Sequence, residues 1–84
     1  MTYTYKTKGT CSSQINIDVA DDKTINSVEF IGGCNGNLKG IGQLVTGMDI
    51  DEVIDRLDGI KCGFKTTSCP DQLAQALKQI EEEM

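Results

Sequence analysis

Ile15, Ile17 and Val19 alternate with Gln14, Asn16 and Asp18. A period of two sends apolar side chains to one side of an extended strand and polar ones to the other, so this segment must lie on a core with its far face wet. Asp21-Asp22-Lys23 then supplies a turn, and the run from Thr24 to Ile31 carries Ile25, Val28 and Phe30. Two such runs joined so closely pair as an antiparallel hairpin. Upstream, Tyr3 and Tyr5 alternate with threonine and lysine before Gly9, which adds a third strand and makes a three-stranded meander.

The period changes after the glycines of Gly32-Gly33-Cys34-Asn35-Gly36-Asn37. Leu38, Ile41, Leu44 and Val45 recur at helical spacing as far as Gly47, and Gly40 and Gly42 on that helix would let it approach the sheet closely. Asp49 or Asp51 caps a second helix with an apolar stripe of Ile50, Val53, Ile54 and Leu57 that stops at Asp58-Gly59. Residues 60–67 read as extended or looping. A last helix begins around Ser68-Cys69-Pro70-Asp71, with proline in its first turn and an acid near its positive end, and buries Leu73, Ala74, Leu77 and Ile80. Strands first and helices afterwards predict an α+β domain: a three-stranded antiparallel sheet followed by two or three helices packed on one face.

With 84 residues, residues 1–84 are expected to form one domain. A chain of this size buries only about 60% of its unfolded surface, so a metal or a partner would add useful stapling. Ile31, Ile60 and Met48 are apolar positions through which a homo-oligomer could complete the core. Lysine and arginine number 8 against 13 aspartates and glutamates, for a net charge of −5, which argues against nucleic acid as the partner. No apolar run approaches the roughly 18 residues of a membrane span, and the N-terminus lacks a signal-peptide core. The expected setting is the reducing cytoplasm, where thiols are free, redox-active or metal-bound rather than structural disulfides.

The 4 cysteines are Cys11, Cys34, Cys62 and Cys69, and histidine is absent. No CxxC knuckle occurs, so spacing by itself says little about metal. Placement says more. Cys11 precedes a strand, Cys34 lies in the glycine loop between strand and helix, and Cys69 opens a helix, whereas inert cysteines sit within apolar faces. A helix N-terminus favours thiolate, which would serve Cys34 and Cys69. Without histidine, a protein-only metal site must be rich in sulfur, with a carboxylate such as Asp71 as the other ordinary donor, and four thiolates suit zinc or an iron-sulfur cluster.

Other chemistries compete. Gly33, Asn35, Gly36 and Asn37 could cradle an anion with backbone amides, although the loop is neither a Walker nor a dinucleotide fingerprint. The same glycines equally suit a turn with positive φ and close packing. A dithiol pair of Cys62 and Cys69 lacks the CxxC spacing and βαβ setting of thioredoxin-like enzymes. Acid–base catalysis has no histidine to use, the acids at 51, 52, 55 and 58 fall on solvent faces, and Ser68 ahead of Asp71 has the form of a helix cap rather than of a nucleophile.

The motif Thr67-Ser68-Cys69-Pro70-Asp71, with Gly32-Gly33-Cys34-Asn35-Gly36-Asn37-Leu38-Lys39-Gly40-Ile41 upstream, resembles the TSCPD domain family over nearly the whole chain. That family includes small free-standing proteins and domains near the C-terminus of some ribonucleotide reductases, notably adenosylcobalamin-dependent ones. The resemblance implies a ribonucleotide reductase, or another protein, as partner, and a metal-binding, accessory or regulatory module rather than the enzyme, since no reductase barrel fits in this length. The order of elements is more distantly similar to U-type iron-sulfur cluster assembly scaffolds, whose three ligand cysteines match Cys11, Cys34 and Cys69. The scaffold's carboxylate and histidine are Ser13 and Ser68 here, and Cys62 is an additional thiol that could close the site. The alternative is a metal-free module that binds a nucleotide or protein through Gly32 to Gly42.

Overall fold

Alternation along the first third of the chain becomes three paired strands in the computed structural model, which describes residues 1–33 and 35–84, Asn35 by its backbone alone. Strands β1 (Thr2–Lys6), β2 (Ser12–Val19) and β3 (Ile25–Gly32) form an antiparallel sheet in the order β1-β2-β3. The register brings the apolar residues of neighbouring strands opposite one another: Tyr3 faces Ile17, Tyr5 faces Ile15, and on the other side Ile15 faces Phe30 and Ile17 faces Val28. Such cross-strand pairs are the unit of sheet stability. Ile15, Ile17, Val19 and Ile25 are fully buried, while Thr2, Thr4, Ser27 and Glu29 lie on the wet face.

Among the described residues, three helices cover the apolar face. Helix α1 (Asn35–Val45) lies against β3, and α2 (Ile50–Leu57) packs on α3 (Cys69–Glu83). The core joins the strand residues to Val45, Ile50, Val53, Leu73, Leu77 and Ile80. Asp49, rather than Asp51, caps α2 by accepting the Asp51 N–H at 2.9 Å. The α+β expectation therefore holds, with three helices.

Helix α1 departs from its sequence reading in two respects. Leu44, placed on the core stripe by spacing, is 76% exposed, because Leu38 and Val45 already fill the inward positions. Gly42 does meet the sheet: a β-carbon there would stand 2.6 Å from the Val28 carbonyl oxygen. Gly40 does not, since nothing lies within 4 Å of the corresponding position. Among the apolar contact candidates, Ile31 and Ile60 are exposed, but Met48 is half-buried against the core. No helix among the described residues is long and apolar enough to cross a membrane.

Candidate thiol site

The start of β2 is irregular, and that irregularity builds the site. Strict alternation from Ile15 would turn Ser13 inward, but the pairing shifts between Ser12 and Gln14, so Ser12 is buried and Ser13 exposed. Such bulges re-aim side chains at functional positions. Ser12 Oγ is thereby brought within 3.1 Å of Cys69 Sγ. Thr10 lies 3.3 Å from Ser12 Oγ, and the hydroxyls of Thr10 and Thr7 both donate to the Ser12 carbonyl.

Cys69 is the first residue of α3, behind its cap Ser68. Ser68 Oγ accepts the Asp71 N–H at 3.1 Å and donates to the Ile60 carbonyl at 2.7 Å, so the cap also anchors the preceding loop. Asp71 completes that anchorage by accepting from Gly59 N–H at 2.7 Å, from the Thr67 hydroxyl and from Gln75 Nε2 at 3.2 Å. Burial works against its charge, yet these hydrogen bonds win and hold the carboxyl below the usual aspartate range. Between the two anchors, Cys62 N–H donates to Thr67 O and Lys65 N–H to Cys62 O, a turn in which Gly63 takes φ +57°. A residue without a β-carbon adopts that φ at little cost.

These pieces converge. Cys11 Sγ and Cys69 Sγ stand 3.8 Å apart although 58 positions separate them in sequence. Thr10, Cys11, Cys62, Lys65, Ser68 and Cys69 line one cavity of about 30 Å³. Cys69 is buried, whereas Cys11 and Cys62 are exposed, and all three are free thiols. Burial opposes the Cys69 thiolate, but hydrogen bonds from the Ser12 side chain and backbone, from Thr10 and from Cys11 outweigh it and keep the thiol below its ordinary range.

The glycine loop closes the same corner. Gly32 and Gly33 both have φ +80°, and a β-carbon on Gly33 would meet Cys11 Sγ and Leu38 Cδ1 at 3.0 Å. Positive φ thus accounts for both glycines, and close packing for Gly33. Gly36 has open space around it, and Asn37 is exposed. Cys34 and the side chain of Asn35 lie outside the described residues.

The donor set suits a thiophilic metal. Two thiolates on one tetrahedral zinc, each at about 2.3 Å, are separated by about 3.8 Å, which is the spacing of Cys11 and Cys69. Among the described residues, no group of three or more histidine, cysteine, aspartate or glutamate side chains already stands in metal-holding geometry. Cys62 lies on the wall of the same cavity, and both Asp71 oxygens are engaged in bracing the loop.

Sequence reasoning did not single out Ser12 or Thr10, since the bulge reverses the phase that alternation would assign. It also passed over Phe64, which projects fully into solvent beside Lys65. The TSCPD domain family model matches residues 1–81, and the chain belongs to that family. No curated protein and no solved structure matches it.

Proposed function

We propose that this TSCPD domain is a small metal-binding module that holds zinc or an iron-sulfur cluster through Cys11 and Cys69, with Cys62 and Cys34 completing the sulfur set. The observation carrying this reading is the 3.8 Å separation of the Cys11 and Cys69 sulfurs, the spacing of two thiolates on one tetrahedral ion. Cys62 supports it from the same cavity wall, and Gly33 brings the chain against Cys11 immediately before Cys34 in sequence. A bound metal would supply cross-links between the segment just before β2, the loop 60–67 and α3, which suits a core this small.

The module acts as an accessory to a larger protein, a ribonucleotide reductase being the partner the family suggests, in the reducing cytoplasm where its thiols stay available. The chain's own residues offer a site for holding an ion rather than an acid–base pair for catalysis. Titration of the metal-free protein with zinc, followed by thermal unfolding, tests the reading. One equivalent should raise the melting temperature, and Cys69→Ser should remove the rise while leaving the metal-free melting temperature close to the parent's. A rise that persists in both Cys11→Ser and Cys69→Ser would overturn it.

A further inference from the structure

We infer that Cys11 and Cys69 are also a reversible dithiol–disulfide pair, closed by a small anionic disulfide of the glutathione type. The inference goes beyond the metal reading because it requires the two thiols but no bound ion. Their sulfurs lie 3.8 Å apart, so a disulfide bond of about 2.05 Å needs an approach of less than 2 Å at the ends of two side chains. Cys62 lines the same cavity, but among the described residues the thiol that meets Cys69 Sγ is that of Cys11, which makes Cys11 its partner.

The accessibility of the two thiols divides the labour. Cys11 is exposed and meets the oxidant, whereas Cys69 is buried and bonded to Ser12 Oγ. In the first step the Cys11 thiolate, having released its proton to solvent, attacks one sulfur of the small disulfide. A mixed disulfide forms and one glutathione leaves as thiolate. Cys69, its own proton lost, then attacks Cys11 Sγ and expels the second glutathione. Two protein thiols have given up two electrons, and one glutathione disulfide has become two glutathiones.

The choice of an anionic oxidant comes from a second observation. The molecule is acidic overall, yet Lys65 lines the thiol cavity, Lys61 directly precedes Cys62 in sequence and Lys8 lies three positions before Cys11; all three are exposed, and among the described residues none of them is in an ion pair. Lys8 N–H donates to Gln72 Oε1 at 3.1 Å, which ties its segment to the first turns of α3. Asp71, the acid nearest Cys69 in sequence, is buried in its own hydrogen bonds. Glu81 is paired with Lys23, and no aspartate or glutamate lines the thiol cavity among the described residues, so the lysine at its wall favours an anionic reagent there.

The test treats metal-free protein, under chelator, with glutathione disulfide at graded ratios to glutathione, followed by alkylation, thiol counting and peptide mapping. The expected product has lost two thiols per chain, carries a Cys11–Cys69 cross-link and reopens with excess glutathione. Cys62→Ser should leave the product unchanged, and Cys69→Ser should stop at a stable glutathione adduct on Cys11. Lys61→Glu/Lys65→Glu should slow the reaction about tenfold at low salt, while leaving the rate with the neutral 2-hydroxyethyl disulfide unchanged. A persistent glutathione adduct in the parent protein, or a cross-link that maps to Cys62 or Cys34, overturns the inference. Zinc binding is measured separately, so failure of the pair to close and failure of the metal reading are distinct results.

Discussion

Alanine substitution at two glycines of α1 should shift stability in opposite directions. Gly40 and Gly42 lie on the same helix, neither has a positive φ, and alanine is favoured over glycine in a helix interior by about 1 kcal/mol. At Gly40 nothing stands within 4 Å of the new β-carbon, so Gly40→Ala should realise that gain. At Gly42 the new β-carbon would lie 2.6 Å from the Val28 carbonyl oxygen, a backbone atom of β3 that has no rotamer through which to retreat. Relief requires α1 to move off the sheet by nearly an ångström, and overpacking of this kind costs about 1–3 kcal/mol. After the propensity gain, Gly42→Ala should destabilise by ~1 kcal/mol at the middle of that range and by ~2 kcal/mol at its upper end. At about 4–8 °C per kcal/mol for a domain of this size, Gly40→Ala should melt several degrees above the parent and Gly42→Ala several degrees below it. Urea and thermal unfolding under chelator provide the assay, since a bound ion would shift both midpoints by mass action. Equal shifts, or stabilisation by Gly42→Ala, would refute the packing of α1 on β3 described above.

The remaining predictions concern the helix face, the cap and the acid limb. Leu44→Gln should change stability by no more than about 0.5 kcal/mol, whereas Leu73→Ala, at a fully buried position, should cost about 2–5 kcal/mol; comparison of their urea midpoints checks both. Ser68→Ala removes the α3 cap and the anchor on the Ile60 carbonyl together, and should cost ~1–2 kcal/mol in the same measurement. Asp71 has a folded-state pKa held below its unfolded value, so its stabilisation is fully present above about pH 4 and is lost as pH falls through the folded value. Asp71→Asn should therefore unfold at a urea midpoint that varies less than the parent's between neutral pH and about pH 2.

The sheet was legible in the sequence because Ile15, Ile17 and Val19 leave only one face to bury, and the register follows once Val28 and Phe30 must share it. The Ser68 cap was legible for a local reason, since it acts within three residues of itself, whereas for α2 the sequence left Asp49 and Asp51 as alternatives. What alternation could not reveal was the bulge between Ser12 and Gln14, which turns Ser12 toward Cys69. Nor does spacing indicate that Leu44 projects outward, because on a helix this short its neighbours Leu38 and Val45 fill the inward positions. The pairing of Cys11 with Cys69 across 58 positions depends on how the hairpin end meets the start of α3, a tertiary contact that no local pattern encodes. Cys62 reaches the same cavity through Asp71 and Ser68, residues whose sequence context suggested only a helix cap or an accessory ligand.

The central claim is that these thiols hold a metal, and elemental analysis with an absorbance spectrum on anaerobically purified, untagged protein tests it most directly. The account predicts about one zinc per chain in colourless protein, or iron with sulfide in brown protein, and loss of either in Cys11→Ser and Cys69→Ser. Metal-free parent protein that stays equally stable and takes up neither zinc nor iron and sulfide on reconstitution would contradict it.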